Sequence, residues 1–410
     1  MQNTIYDVAI IGGGPAGIMA AISAAQNGKK VVILDKNQRL GRKLLLTGKG
    51  RCNITHDEQD PKIMIQKYNK ESKFLLSAFS QFGIKETIEF FKSNGLNLKV
   101  ERGSRYFPEA EDAESVLRLL ERKLKELDVT TKYNSNVIKI YKTKNKIDKL
   151  LLKSEDEIFA KNYIIASGGC SYPVTGSNGE IFKLVEKLGH KITELKPALV
   201  GLKTKDAWVK SLSGLSLKNV ELKIKNTKTK IFGEMLLTHF GISGPIVLNI
   251  SGEVVQLLRK GEVTLVLDLK PALTNDVLDK RLQSDFQKYQ NKNFKNSLYD
   301  LLPQKLADKI VDISLISETK KVNAVTKEER QKILKLIKGL EITINHHMGF
   351  DSAIVTSGGV CLKEVDQKTM KSKIIENLSF AGEVLDIDGK TGGYNLQMCW
   401  TTGYVAGKNI

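Results

Sequence analysis

Near its start the chain carries an unbroken apolar run, Val8-Ala9-Ile10-Ile11, with the length and β-branching of a strand buried on both faces. It stops at Gly12-Gly13-Gly14-Pro15-Ala16-Gly17, and Ile18 to Asn27 then follows a helical rhythm that Gly28 terminates. A second apolar run, Val31-Val32-Ile33-Leu34, predicts another buried strand, closed by Asp35. Amphipathic helices are predicted within Ser72–Asn94, split at Gly83, and over Asp112–Leu127, where Val116, Leu117, Leu119, Leu120, Leu124 and Leu127 form one stripe. From Asn136 to Ile165 the alternation switches to the two-residue period of a strand meander. It ends in Ser167-Gly168-Gly169, small residues suited to close approach of a cofactor. A helix is predicted over Glu180–Leu188, stopped by Gly189.

The pattern changes near Pro197. Short strand-like pieces up to about Asp268 predict a small antiparallel β domain, and Asn275–Leu340 reads as mostly helical and lysine-rich. A last strand, Leu378-Ser379-Phe380, runs into Gly382-Glu383, and Thr391-Gly392-Gly393 opens a helix reaching Gly407. This repeats the strand, glycine and helix-start logic of the N-terminus, so both ends are expected to close one domain around one ligand. The division read from the sequence is 1–195 and 346–410 for a split nucleotide-binding domain, 196–272 for an inserted β-barrel and 273–345 for a helical cap.

The glycines at the first turn fit G-x-G-x-x-G between a strand and a helix. Gly12 permits the tight turn, Gly14 lets a pyrophosphate approach the backbone, and Gly17 lets helix and strand pack closely. Pro15 costs nothing at the first helical turn, and with Ala16 it opens a helix whose free N–H groups attract phosphate. Asp35, followed by Lys36, stands where a carboxylate accepts ribose hydroxyls and repels a 2′-phosphate. The loop from Gly41 to Asn53 holds Arg42, Lys43 and Gly48 as candidate phosphate or flavin contacts.

At 410 residues the chain is long enough for two or three domains, and its 41% hydrophobic content is ordinary for a soluble protein. No apolar run reaches the about 20 residues that cross a bilayer, and Met1-Gln2-Asn3-Thr4 lacks a basic leader, so a cytoplasmic protein without membrane contact is expected. Cys52, Cys170, Cys361 and Cys399 are scattered, and His346-His347 diverge on a strand, so no metal site is assigned. The net charge is +18, and residues 196–345 hold 26 Lys/Arg against 16 Asp/Glu. Two readings are open: solvated lysine-rich surfaces, or a polyanionic partner such as RNA.

Five blocks beyond the nucleotide fingerprint carry a family resemblance: GRKLLLTGKGRCN, ASGGCSYPVTGSNG, LLTHFGISGP, TSGGV and AGEVLDIDGKTGGYNLQ. Together they resemble the BaiN-like (YhiN/RdsA) family of NAD(P)/FAD-dependent oxidoreductases, in order along essentially the whole chain. The resemblance implies an α/β fold: a split Rossmann-like FAD-binding domain of glutathione-reductase type, with an inserted β-barrel and helical cap. It implies FAD with its adenine near the backbone of Val137, its ribityl chain at Gly382-Glu383, and its pyrimidine edge facing the helix start at Gly393, Asn395 and Leu396. Asp35 stands where glutamate is more usual in the family, a change either carboxylate tolerates.

The same resemblance implies hydride transfer from reduced flavin to a conjugated C=C. The expected substrate is a uridine of large-subunit ribosomal RNA, giving dihydrouridine; the alternative is a small molecule. No second G-x-G-x-x-G follows a strand, so NAD(P)H is expected only as a transient reductant. Cys52 is the candidate proton donor, against a reading as a small packing residue. Arg51, His239 and Tyr394 are candidate substrate contacts, with His239 equally readable as a loop cap. Oligomeric state is left open.

Overall fold

A computed structural model of the chain describes residues 5–58, 60–69 and 72–410; the Met1–Thr4 start discussed above lies outside them. It divides into two compact units, 1–198 with 350–410, and 199–349.

The first unit is built on a seven-stranded sheet. Strand β1 (Ile5–Ile11) leads into helix α1 (Pro15–Gln26) and strand β2 (Val31–Leu34). Strand β3 (Glu157–Ile165) returns about 150 positions later and pairs parallel with β1, register Ile11 to Ile165. β1 therefore has parallel neighbours on both sides, β2 and β3, which explains why its apolar run has no polar face. The strand order reverses beside β1, and at such a switch point the strand ends leave a crevice. The last strand, Leu378–Phe380, pairs with β3 and brings the C-terminal part onto the same sheet.

The helix Tyr394–Lys408 then packs against α1. Gly403 and Gly407, one turn apart, permit this: a Cβ at either would fall 2.3 and 2.2 Å from the carbonyl oxygens of Ala16 and Ala20. The two ends of the chain are thus joined by backbone-to-backbone helix packing. Trp400, fully buried, donates its indole N–H to the Ile54 carbonyl at 3.0 Å.

The second unit is a closed six-stranded barrel with helices sharing its core. Its longest hairpin pairs strands β4 (Ser216–Ile224) and β5 (Lys230–Leu237). Two features depart from the sequence reading. The helix Pro245–Leu257 falls inside the stretch read as β, because its apolar Ile246, Val247, Ile250 and Val254 have helical spacing but are embedded among strand-like runs. The strand Leu340–His347 comes after the lysine-rich helices yet completes the barrel by pairing with Leu202–Thr204 and Val263–Asp268.

Among the described residues no helix is long and apolar enough to cross a membrane, and no group of three His, Cys, Asp or Glu is placed to hold a metal.

Candidate functional site

The crevice at the ends of β1 and β3 is a cleft of about 1260 Å³, its open mouth included. Gly12 lies in its wall at φ +106°, where a Cβ would stand 2.6 Å from the Ala166 carbonyl oxygen. Gly17 is needed for packing: its Cβ would fall 1.9 Å from the Gly12 oxygen. Gly14 is different. A Cβ there would meet nothing within 4 Å, so the absent side chain leaves open space beside the helix start. Gly14 caps α1 without a side-chain bond, so the N–H groups of its first turn have no protein cap.

Asp35 closes this turn. Its Oδ2 accepts from the Gly13 N–H at 2.7 Å, and Oδ1 accepts from the Asn37 backbone N–H at 2.8 Å. Oδ1 also accepts from Asn37 Nδ2 at 2.9 Å, so it is Oδ2 that keeps a lone pair for a hydroxyl. Three cations line the same cleft. Lys36 bonds Asn178 and Glu180, and Lys43 is held by Glu383, but Arg42 donates to Asn37 Oδ1 and has no carboxylate partner among the described residues. It is therefore the cation most available to an anionic ligand.

Glu383 ties four segments together. Oε2 accepts from Lys43 Nζ at 2.8 Å; Oε1 accepts from Ser171 Oγ at 2.8 Å and from the Thr356 N–H at 2.7 Å. Lys43 Nζ also donates to Ser171 Oγ. Charge-assisted bonds of this kind are roughly twice as strong as neutral ones. Ser171 and Thr356 were not singled out from sequence, although both lie in glycine-rich blocks already noted.

Gly12, Gly14, Pro15, Ala16, Asp35, Lys36, Arg42, Lys43, Val137, Gly168, Glu383, Asn395 and Leu396 all line this one cleft. Four other glycines named with them serve close packing instead. Gly17 was described above. Gly48 sits at φ +59° against Asn53, Gly382 abuts Ala16, and Gly393 at φ +97° abuts the Thr55 backbone. Gly393 caps the C-terminal helix without a side-chain bond, leaving Asn395 and Leu396 at the cleft with an open helix N-terminus. Ser135, Asn136, Ser167, Ser177 and Cys399 also line it. Ser167 belongs to the small-residue strand end noted above, whereas the isolated Ser135, Asn136 and Ser177 carry no periodic signal that would have marked them.

The residues fit FAD. The uncapped α1 N-terminus, the open space at Gly14 and a guanidinium without a carboxylate partner among the described residues suit a pyrophosphate, and the second open N-terminus suits an anionic ring edge. Ser167 Oγ, buried and without a partner in the cleft wall, is a polar atom awaiting one.

The candidate substrate and proton-transfer residues lie elsewhere. Cys52 is fully buried, at φ +59°, and does not line the cleft. Burial pushes its thiol up to about 12, against a bond with Thr47. That setting argues against the donor role read from the sequence; only a solvated or substrate-facing group passes a proton readily. Arg51 is committed to Glu101 at 2.9 Å and lies over the Phe107 ring at 4.3 Å. Tyr394 is buried and stacked on His56 at 4.8 Å between centroids, its phenol pushed up to about 12 by burial first and Glu58 second. Its carbonyl accepts from Tyr68 Oη at 2.7 Å. His239 is exposed in the second unit, edge-on to Phe240.

Comparison with known proteins bears on the family and the fold. The family model of the HI0933-like protein Rossmann domain matches residues 6–409. The 3-dehydro-bile acid delta(4,6)-reductase of Clostridium scindens is 32% identical over 407 residues, 98% of either chain. The ribosomal RNA dihydrouridine synthase of Haemophilus influenzae is 29% identical, over 98% of this chain and 97% of its own. That of Escherichia coli is 26% identical, over 99% and 98%. Among solved structures, the 3-ketosteroid-delta4-(5alpha)-dehydrogenase of Rhodococcus jostii RHA1 shares the fold with a TM-score of 0.54 at 13% identity, over 100% of this chain and 97% of that one. A flavocytochrome c3 fumarate reductase does so at 0.52 and 15%, over 100% and 78%. On its near-complete family match and a full-length relative above 30% identity, the chain belongs to the HI0933-like family, the one its BaiN-like blocks resemble, and is an FAD-dependent oxidoreductase.

Proposed function

We propose that this oxidoreductase is a ribosomal RNA dihydrouridine synthase, saturating the C=C of a uridine with NAD(P)H as the transient source of electrons. The observation that carries this reading is charge. The chain has a net +18, and residues 196–345 alone hold 26 Lys/Arg against 16 Asp/Glu. A small neutral substrate has no use for that excess, whereas each phosphate neutralised by a lysine releases a counterion and adds affinity. Two full-length relatives bear the name of that activity. An rRNA substrate places the work in the cytoplasm.

Bound FAD supplies hydride transfer to the electron-poor end of a C=C conjugated to a carbonyl. The chain's part is to hold and orient. The α1 N-terminus and Arg42 receive the pyrophosphate, and Asp35 the ribose hydroxyls. The backbone near Val137 receives the adenine. The Lys43–Glu383 knot fixes the wall between them. The open N-terminus at Asn395 and Leu396 would present positive dipole to the flavin's pyrimidine edge, where it would stabilise negative charge. Lysines of the second unit would meet RNA phosphates, and a uridine taken out of its stack costs a few kcal/mol.

A second reading is an NAD(P)H-dependent reductase of a small unsaturated molecule. What favours it is that the bile acid reductase, at 32%, is more similar than either RNA enzyme, at 29% and 26%. Both names describe saturation of a C=C, so the chemistry is common to the two readings. Nucleoside mass spectrometry of rRNA from a deletion strain separates them. Loss of a dihydrouridine is expected; an unchanged content would remove RNA as the substrate.

A further inference from the structure

Within the second unit, the β4–β5 hairpin concentrates positive charge. Residues 216–232 hold five lysines and one glutamate. Lys218, Lys223, Lys225, Lys228 and Lys230 are all exposed. Lys223 and Lys230 stand directly opposite each other in the antiparallel ladder. Like charges at such a pair destabilise a sheet unless counter-charge is supplied. The local acids answer only part of the charge. Lys225 pairs with Glu341 at 2.6 Å and Lys230 with Glu221 at 3.3 Å. Lys218, Lys223 and Lys228 have no carboxylate partner among the described residues.

On the same outward face, two residues beyond Lys230 and opposite Glu221, Phe232 is 60% exposed. Alternate positions of a strand share a face, so the ring and the Lys230 and Lys223 side chains stand side by side. Packing does not account for the exposed ring, since inward neighbours Leu222 and Met235 already fill the barrel. A flat ring among cations suits a chain that alternates anionic groups with flat bases.

We infer that the outer face of the β4–β5 hairpin binds single-stranded RNA, its lysines meeting phosphates and Phe232 stacking on a base. This rests on the rRNA reading and adds to it the surface that engages the strand. An acidic peptide would answer the lysines but offers no regular partner for the ring.

The test uses the full chain with FAD and a fluorescent uridine-rich single-stranded RNA, with anisotropy measured from about 50 to 200 mM salt. Removing Lys218, Lys223 and Lys228 together (each →Ala) is expected to lower the log–log salt slope by about 2, at roughly 0.7 for each phosphate no longer neutralised. Phe232→Ala is expected to weaken binding about tenfold and leave the slope unchanged. Flavin content and melting temperature verify that each variant is folded. Steep, salt-sensitive binding by the wild type that both variants retain would overturn the hairpin assignment and leave the rRNA reading standing. No RNA binding by the wild type would overturn both. A polyglutamate peptide that competes as well as RNA, and equally for Phe232→Ala, would reassign the face to an acidic protein.

Discussion

Lys43 Nζ and Glu383 Oε2 meet at 2.8 Å although 340 positions separate them in the chain. The pair joins the loop after β2 to the segment after the last strand, so the cleft exists only when both ends of the chain are folded together. Glu383→Gln keeps the shape and removes the charge. Because both side chains are largely but not wholly buried, we expect a loss on the order of 1–3 kcal/mol rather than the larger cost of a sealed pair. The predicted readout is a melting temperature lower by a few degrees and a weaker FAD dissociation constant. A variant matching the wild type in both would show that the knot is decorative.

Cys52 offers a sharper distinction between chemistry and packing. Its thiol is sealed in the core and held protonated by burial. Cys52→Ala is therefore predicted to keep turnover within about twofold while losing about 1 kcal/mol of stability through the small void it leaves. A hundredfold drop in kcat with an unchanged melting curve would restore the cysteine to the reaction.

The pH dependence of stability follows from His190. Its side chain is fully buried, with Nδ1 3.0 Å from Glu364 and Nε2 2.8 Å from Ser372 Oγ. Burial holds its pKa below the ordinary 6.5, and Glu364 only partly opposes this. As pH falls through 6.5 the unfolded chain takes up the proton first, so stability is full above that value. It declines until the folded imidazole is itself protonated, and is level below. His56 and His347 are also lowered, both by burial first, and add in the same direction. Melting temperature should fall between pH 7.5 and 5.5, and His190→Gln should flatten the fall. A melting temperature that rises on acidification over this range would contradict the assignment.

The β1–α1–β2 unit was legible because its signals are local: buried runs, glycines at a turn, an acid at a strand end. The cleft side of Glu383 was not, because Lys43, Ser171 and Thr356 come to it from loops far apart in the chain and have no spacing that predicts a meeting. Cys52 misled for a related reason. A glycine-rich loop reads as exposed, but this one folds inward under Phe107, and burial of a loop residue leaves no periodic trace. The barrel's closing strand was hidden behind the helices that precede it, since the order of elements in sequence is not their order in a sheet.

The central claim is that FAD phosphates sit on the first turn of α1, and Gly14 tests it most directly. Its backbone, at φ −83° and ψ −176°, accepts any residue, and an added Cβ touches no protein atom within 4 Å. Gly14→Ala should therefore fold like the wild type without cofactor, while its methyl group intrudes on the pyrophosphate. Measured by flavin titration, the FAD dissociation constant is predicted to weaken at least tenfold, about 1.4 kcal/mol, with an unchanged melting temperature of the apoprotein. An unaltered dissociation constant would place the phosphates somewhere else.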